Sequence, residues 1–562
     1  MPIHMKKLSN KQWAWLVTLV VGVLVFLFWN YRYPFALAYQ EQLQLFLFDG
    51  DYLLERLSEP GGLARYVAEF LVQFYNGIAI GATIIAVLYM LIQRLTWQLM
   101  KVKSHYILSF IPVAMLWFAM GDESVMLTYA VALVMALAVM IAWNKLAPQN
   151  KVAKVAAAVV LIPVLYWLIG PIVLMVAVWI MPLSVIYALA LMLLSTHYLP
   201  FPMMRVMLGI SYYRFPETLP YVLMAIPVVV LLLGWLAKRL PEPKTWVQYA
   251  EALLLAVLVV VPQQLGFDAK KYELMEYDYL VRIGDWNSII AKAEAQTPDL
   301  PMSVSATNLA LAMTNQLGDK AYNFYQRGSE GLLPKFERNF ATTQLTGEIY
   351  YNLGLVNTAQ RLAFEAMEAI PNYNKSARVV KRLAETNMIN GEYKVAEKYL
   401  RMLEKTVFYR PWAQRMIQML GNEKAINEHP LYGTLRQYRL QDDFLFSDRE
   451  LDKICGLLFM HNNNNMVAAQ YLLMMPLMDK DIARFMQYAP VVQSRVQYNP
   501  RHIQEGIALA FMLKRQQPPQ GMVSLFMLQQ MNEFARIYST NQQAPELAKF
   551  KNTLWYYLMV GK

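Results

Sequence analysis

Up to Pro262 the chain is a succession of long apolar runs separated by short charged breaks; beyond it, charge returns at the density of a soluble protein. Apolar runs fall at residues 13–29, 71–93, 106–120, 125–143, 220–237 and 246–261. A helix needs about 20 apolar residues to cross a bilayer core of about 30 Å, so each reads as a membrane span. Residues 155–204 hold no charge apart from the near-neutral His197. As one helix that stretch would be about 75 Å long, room for two long or three short spans. Proline removes a backbone donor and clashes one turn back, so Gly170-Pro171 and Met181-Pro182 are its breaks.

Charge between the runs sets the topology, because Lys and Arg are retained in the cytoplasm. Lys6, Lys7 and Lys11 precede the first run and no small-residue cleavage site follows it, so an uncleaved span with a cytoplasmic N-terminus is expected. Residues 30–70 then carry three Arg against six acids, as suits the outside. Arg94, Lys101 and Lys103, then Lys145, Lys151 and Lys154, mark returns inside. The loop Lys238-Arg239…Lys244 is also basic, which requires three short spans between residues 155 and 210 and nine in all. The C-terminal half then lies outside; with only two spans in that region it would be cytoplasmic.

The second half has helical periodicity and an internal repeat. Gly284, Gly318, Gly354 and Gly391 are spaced by 34, 36 and 37 residues, Ala359 and Ala396 each sit five after their glycine, and Pro301 and Pro371 seventeen after theirs. This pattern, over residues 277–412, resembles tetratricopeptide repeats, whose period is about 34. The expected fold is all-α: a polytopic transmembrane bundle over 1–262, then a tetratricopeptide-like α-solenoid over 263–562 with a concave face.

Composition agrees with this division. Hydrophobic residues make up 57% and charged residues 16%, which excludes a soluble globular enzyme or a disordered chain. The net charge of +11 comes from 17 basic and 11 acidic residues up to Pro262 and 34 and 29 beyond, with no basic run that would suit nucleic acid. Cys455 is the only cysteine, so there is no internal disulfide or cysteine-zinc cluster. Phosphate-binding, dinucleotide, zinc-protease and serine-hydrolase motifs are absent, and the six histidines are scattered.

Candidate chemistry concentrates in the first outside loop. The stretch from Tyr39 to Phe48 is amphipathic and suited to a membrane surface. After Ser58-Glu-Pro-Gly-Gly62, a helix starting at Leu63 is expected to run into the second span, with Arg65, Glu69 and Gln73 sharing one face. Ionisable residues entering a membrane usually face a cavity or the bundle interior; an interfacial ion pair is the plainer alternative. A carboxylate base could be Glu41, Asp49, Asp51 or Glu69. Cations and donors able to hold a departing anionic group are Arg65, Gln73, Tyr213 and Arg214. Asp49-Gly50-Asp51 could hold a divalent cation, Mg or Mn, or be an ordinary turn.

The wording Glu41-Gln42 … Pro60-Gly-Gly-Leu63 … Tyr66 … Glu69-Phe … Gln73-Phe74 resembles an uncharacterised multi-pass membrane family of Gram-negative bacteria, along the whole chain. The architecture, with a first outside loop bearing acids and repeats at the C-terminal end, resembles the C-type (GT-C) superfamily of membrane glycosyltransferases. That resemblance implies a polyprenyl-phosphate-linked sugar donor, a catalytic acid soon after span one (Glu41, Asp49 or Asp51), and an inner-membrane protein with periplasmic repeats. The leading expectation is therefore a transferase moving a glycan to a protein or glycan acceptor held by the repeats. A non-catalytic membrane-anchored scaffold for periplasmic partners is the alternative, and transport the third reading.

Overall fold

In the computed structural model, residues 10–102, 104–213, 221–335, 337, 340–370, 374–440 and 450–561 are described. Those residues are helical with no strand, only isolated bridges. They form two compact units, Met1–Tyr272 with Ile370–Ala377 and Glu404–Arg410, and the remainder from Glu273 onward. Two short segments from beyond residue 272 thus belong to the first unit. The reason is backbone satisfaction. Residues 44–49 lie outside any helix, with Gln44, Leu45 and Phe46 buried, and backbone N–H groups there need partners from elsewhere. Leu45 N–H donates to the Lys375 carbonyl at 2.9 Å and Phe48 N–H to the Lys405 carbonyl at 2.8 Å.

The first unit runs α1 (Asn10–Leu27), α2 (Pro34–Glu41), α3 (Gly50–Leu57), α4 (Gly62–Val72), α5 (Ile78–Met100), α6 (Ile111–Ala119), α7 (Thr128–Leu146), α8 (Lys151–Ile169), α9 (Val173–Ile180), α10 (Ser184–Ser195), α11 (Met203–Leu208), α12 (Tyr221–Leu236) and α13 (Thr245–Leu265). Among the described residues six helical stretches are long and apolar enough to cross a membrane: Gln12–Arg32, Ile78–Met100, Thr128–Leu146, Lys151–Ile180, Tyr221–Arg239 and Thr245–Leu265. Nine were expected. Tyr106–Ala119 and Ser184–Ser195 are apolar but short, and the region read as three spans begins with one stretch, Lys151–Ile180. That stretch is broken at Gly170, whose φ of +74° suits glycine, and Pro171. On α13 only 6% of the apolar window is buried, so nearly its whole apolar surface is left for lipid.

Two local expectations change. The helix bearing Arg65 and Glu69 does not continue into the second span: a 3-10 turn at Gln73–Asn76 and the extended Gly77 separate α4 from α5. The stretch from Tyr39 to Phe48 is no surface helix, because α2 ends at Glu41 and Leu43, Leu45 and Phe46 are buried in the extended segment.

The second unit is built of helix pairs, among them Trp286–Ala295 with Pro301–Met313, Phe340–Leu353 with Val356–Glu368, and Ala377–Asn390 with Tyr393–Glu404. Gly354 and Gly391 make the tight turns inside the last two pairs, with φ of +99° and +84°, and Ala359 and Ala396 are buried where the helices approach. Gly318 is not equivalent to them. It lies inside the short helix Leu317–Lys320, and the left-handed turn residue there is Asn315. Helices continue to Met559, beyond the expected repeat region. The asparagine run near His461 is a helix start: Asn465 Oδ1 accepts from Ala468 N–H, and its amide donates to the Leu353 carbonyl at 2.9 Å.

Candidate functional site

The loop after α1 folds around one buried carboxylate. On α3, Tyr52 and Arg56 are four apart and turn inward together, while Asp51, Leu54 and Glu55 face solvent. On α4, Arg65 and Glu69 share the buried face with Ala64, Ala68 and Val72. Gly62 lets the two helices meet head-on, since a Cβ there would stand 2.1 Å from the Arg56 carbonyl oxygen. This close approach brings two guanidinium groups to the same acid.

Glu69 is completely buried and both its oxygens are occupied. Oε1 accepts from Arg65 Nε at 2.9 Å; Oε2 accepts from Arg56 Nε at 2.7 Å and from the Tyr52 hydroxyl at 2.5 Å. Arg65 also reaches Glu59 at 2.9 Å and the Asn374 side-chain oxygen at 2.7 Å. Arg56 lies over the Tyr52 ring, 4.2 Å from its centroid, and pairs with the exposed Glu55. Burial pushes the Glu69 carboxyl toward its neutral form, but Arg65, Arg56 and Tyr52 outweigh that and hold it below the ordinary glutamate range. Burial, with the Glu69 charge, raises Tyr52 well above the usual phenol, so it stays a hydroxyl donor.

The remaining expected residues sit around this cluster without joining it. The Gln73 amide donates to the Gln44 carbonyl at 2.8 Å. Glu41 is buried and accepts from the Tyr409 hydroxyl at 2.9 Å. Asp49 pairs with Lys405, whose hydrogen bond lowers the Asp49 carboxyl below its usual value, and Asp51 is exposed. Among the described residues no group of three His, Cys, Asp or Glu side chains could hold a metal. Arg214 lies outside the described residues. A carboxylate with two guanidinium partners and a hydroxyl is a poor proton acceptor; the arrangement clamps α3, α4 and Asn374 together.

Tyr213 instead lines a cavity of about 380 Å³ among membrane helices, with Pro171, Met175, Met207, Tyr212 and Val228. Nearly all its walls are hydrocarbon. The Tyr212 hydroxyl, at its edge, donates to the Ile169 carbonyl at 2.5 Å. Half-buried Arg205 stands near Tyr213, Arg65 and Glu59, within reach of their charges.

Sequence reasoning missed Tyr52, Arg56, Arg205, Asn374, Lys405 and Tyr409. The four-residue spacing of Tyr52 and Arg56 on an amphipathic helix was a usable signal. No local pattern links Arg65 to Asn374, 309 residues away.

No curated protein and no solved structure matches the chain. A family model described as a family of unknown function, DUF6057, matches residues 9–561, so the chain belongs to that family.

Proposed function

We propose that the chain is an inner-membrane transferase of GT-C type, moving a glycan or related group from a polyprenyl-phosphate-linked donor to a periplasmic acceptor. The observation that carries this reading is the apolar cavity at Tyr213. Ligand cavities run from about 300 Å³ and are mostly apolar with a few polar groups at one end. Hydrocarbon walls that include Tyr213, with Arg205 near Tyr213 but outside the lining, suit an isoprenoid chain with an anionic head. In this reading Glu69 positions Arg65 toward that head, and proton transfer falls to Glu41 or Asp51 rather than to Glu69.

Contacts within the first unit support nine passages. Trp167 on α8 donates to the Leu57 carbonyl in the first loop at 2.7 Å, whereas Trp179 on α9 donates to Asn144, near the far end of α7. The chain therefore turns back at Gly170. Helix α10 returns it, with Tyr187 at Val159 and Ser195 at Tyr166. Tyr129 bonds the Leu223 carbonyl at one end of α12, and His105 bonds the Pro241 carbonyl beyond the other. Gly266 packs on Gly121. In this reading the first loop, residues 120–127 and residues 266–272 share one side, and Lys101, Lys145, Lys151, Lys238, Arg239 and Lys244 share the other, the cytoplasmic one.

A second reading, the non-catalytic anchored scaffold, is favoured by the pairing of Glu41, Asp49 and Glu69 with protein groups. Mass spectrometry of lipid retained by the detergent-purified protein separates the two. The transferase reading expects polyprenyl phosphate, displaced in Val178→Trp, which fills the cavity. Bulk phospholipid alone, unchanged in that variant, would leave the scaffold.

A further inference from the structure

A second cavity, of about 280 Å³, lies wholly within the second unit, between the short helix after Leu317 and the C-terminal helix Leu554–Met559. Its lining is Thr297, Tyr322, Asn323, Phe324, Tyr325 and Gln326 on one side, and Lys551, Asn552, Tyr556 and Tyr557 on the other. Five of these ten are aromatic, three carry a side-chain amide, and none is acidic.

The site is held rigidly. The Tyr322 and Tyr557 rings stack with centroids 5.0 Å apart, and His502 meets Tyr322 edge-on at 4.6 Å. The Tyr557 hydroxyl donates to the Met478 carbonyl at 2.8 Å. Gln326 is buried and fixed by Asn308, which donates to its side-chain oxygen at 2.9 Å. The polar groups offered to a ligand stand at the open side of the cavity: Asn323, Lys551 and Asn552 are exposed, and Tyr325 and Tyr556 are partly so.

The chemistry narrows the ligand. The cavity is at the small end of ligand sites, about 300–1,000 Å³, so it takes a ring-sized molecule and not a lipid tail. Lys551 on the rim, Lys480 over the Tyr557 ring and the lack of any lining acid disfavour a cation. Flat aromatic faces beside amides and a hydroxyl match a pyranose, whose C–H face is apolar and whose edge carries hydroxyls. We infer that the cavity between Tyr322 and Tyr556 binds one neutral sugar ring, making this end of the second unit a glycan-holding site. This rests on the second unit alone and stands whether or not the membrane cavity holds a lipid.

The test uses the purified full chain in detergent and saturation-transfer NMR with the methyl glycosides of glucose, galactose, mannose and N-acetylglucosamine, and with adenosine and choline as controls. At least one glycoside should receive saturation. Asn552→Ala and Tyr325→Ala, on the accessible rim and wall, should weaken it by about tenfold without lowering the melting temperature. Silence from all four glycosides would overturn the proposal, as would stronger binding of adenosine or choline, or full sugar binding by Asn552→Ala and Tyr325→Ala.

Discussion

Replacing Glu69 by Gln tests whether the loop cluster is a clamp or an acid–base centre. The substitution keeps shape and removes charge, and Gln offers one acceptor where three donors now converge. Arg56 and Arg65, 5% and 3% exposed, would be left with Glu55 and Glu59 at the rim as their acidic partners. Breaking a buried pair by removing one partner costs about 3–5 kcal/mol. For a unit of this size that is a fall in melting temperature on the order of 10 °C. Glu55→Gln, which touches only the exposed end, should cost no more than about 1 kcal/mol. The triple change Arg56→Met, Arg65→Met, Glu69→Leu removes the charges together and should be milder than Glu69→Gln alone. The pH dependence has a defined sign. The Glu69 carboxyl is depressed in the fold, so its stabilisation is full above the ordinary value of 4.5 and is lost as pH falls through the folded value. The parent should therefore lose melting temperature below about pH 4.5 more steeply than Glu69→Gln. Thermal melting by fluorescence-detected size exclusion checks both. A Glu69→Gln protein melting within about 2 °C of the parent would refute the clamp and return Glu69 to the candidate bases.

Two further outcomes follow from geometry. Gly354→Val should destabilise the second unit more than Gly391→Ala: both have positive φ, but a Cβ at 354 meets Tyr438 Cβ at 2.8 Å, whereas nothing lies within 4 Å at 391, leaving only about 1–3 kcal/mol of backbone strain. Because Cys455 is the only cysteine and is buried, single cysteines can report sidedness cleanly. In the proposed topology, Ser124→Cys should react with an impermeant maleimide added to intact cells and Lys244→Cys only after lysis; the reverse would invert the topology.

What the sequence made legible follows from what hydrophobicity measures. Apolar runs mark where helices meet lipid, and six were found where expected or close by. Their ends were less visible. The break at Gly77 separates α4 from α5 by backbone conformation, and only Gln73 and Asn76-Gly77 mark it within an otherwise apolar stretch. The Gly354 and Gly391 turns were readable because positive φ selects glycine, while Gly318 misled because the spacing fell on a glycine whose neighbour Asn315 takes the left-handed position.

The site was half legible for a related reason. Arg65 and Glu69 are visible as a pair at helical spacing, but whether a carboxylate is a base or a strut depends on how many donors surround it. Those donors come from Tyr52 and Arg56 on another helix, so Tyr52 supplies the remaining test. Tyr52→Phe removes the hydrogen bond to Glu69 Oε2 and the weaker one that the hydroxyl accepts from Arg56 Nη2 at 3.1 Å, and leaves Arg56 over the ring, 4.2 Å from its centroid. A hydrogen bond to a charged group contributes about 1.5–3 kcal/mol, so the loss should be clearly smaller than in Glu69→Gln. The two should also be non-additive, since once the carboxylate is gone the hydroxyl has lost its charged acceptor. A double variant melting at the sum of the two single losses would show that Tyr52 and Glu69 act independently, and that the cluster is not one unit.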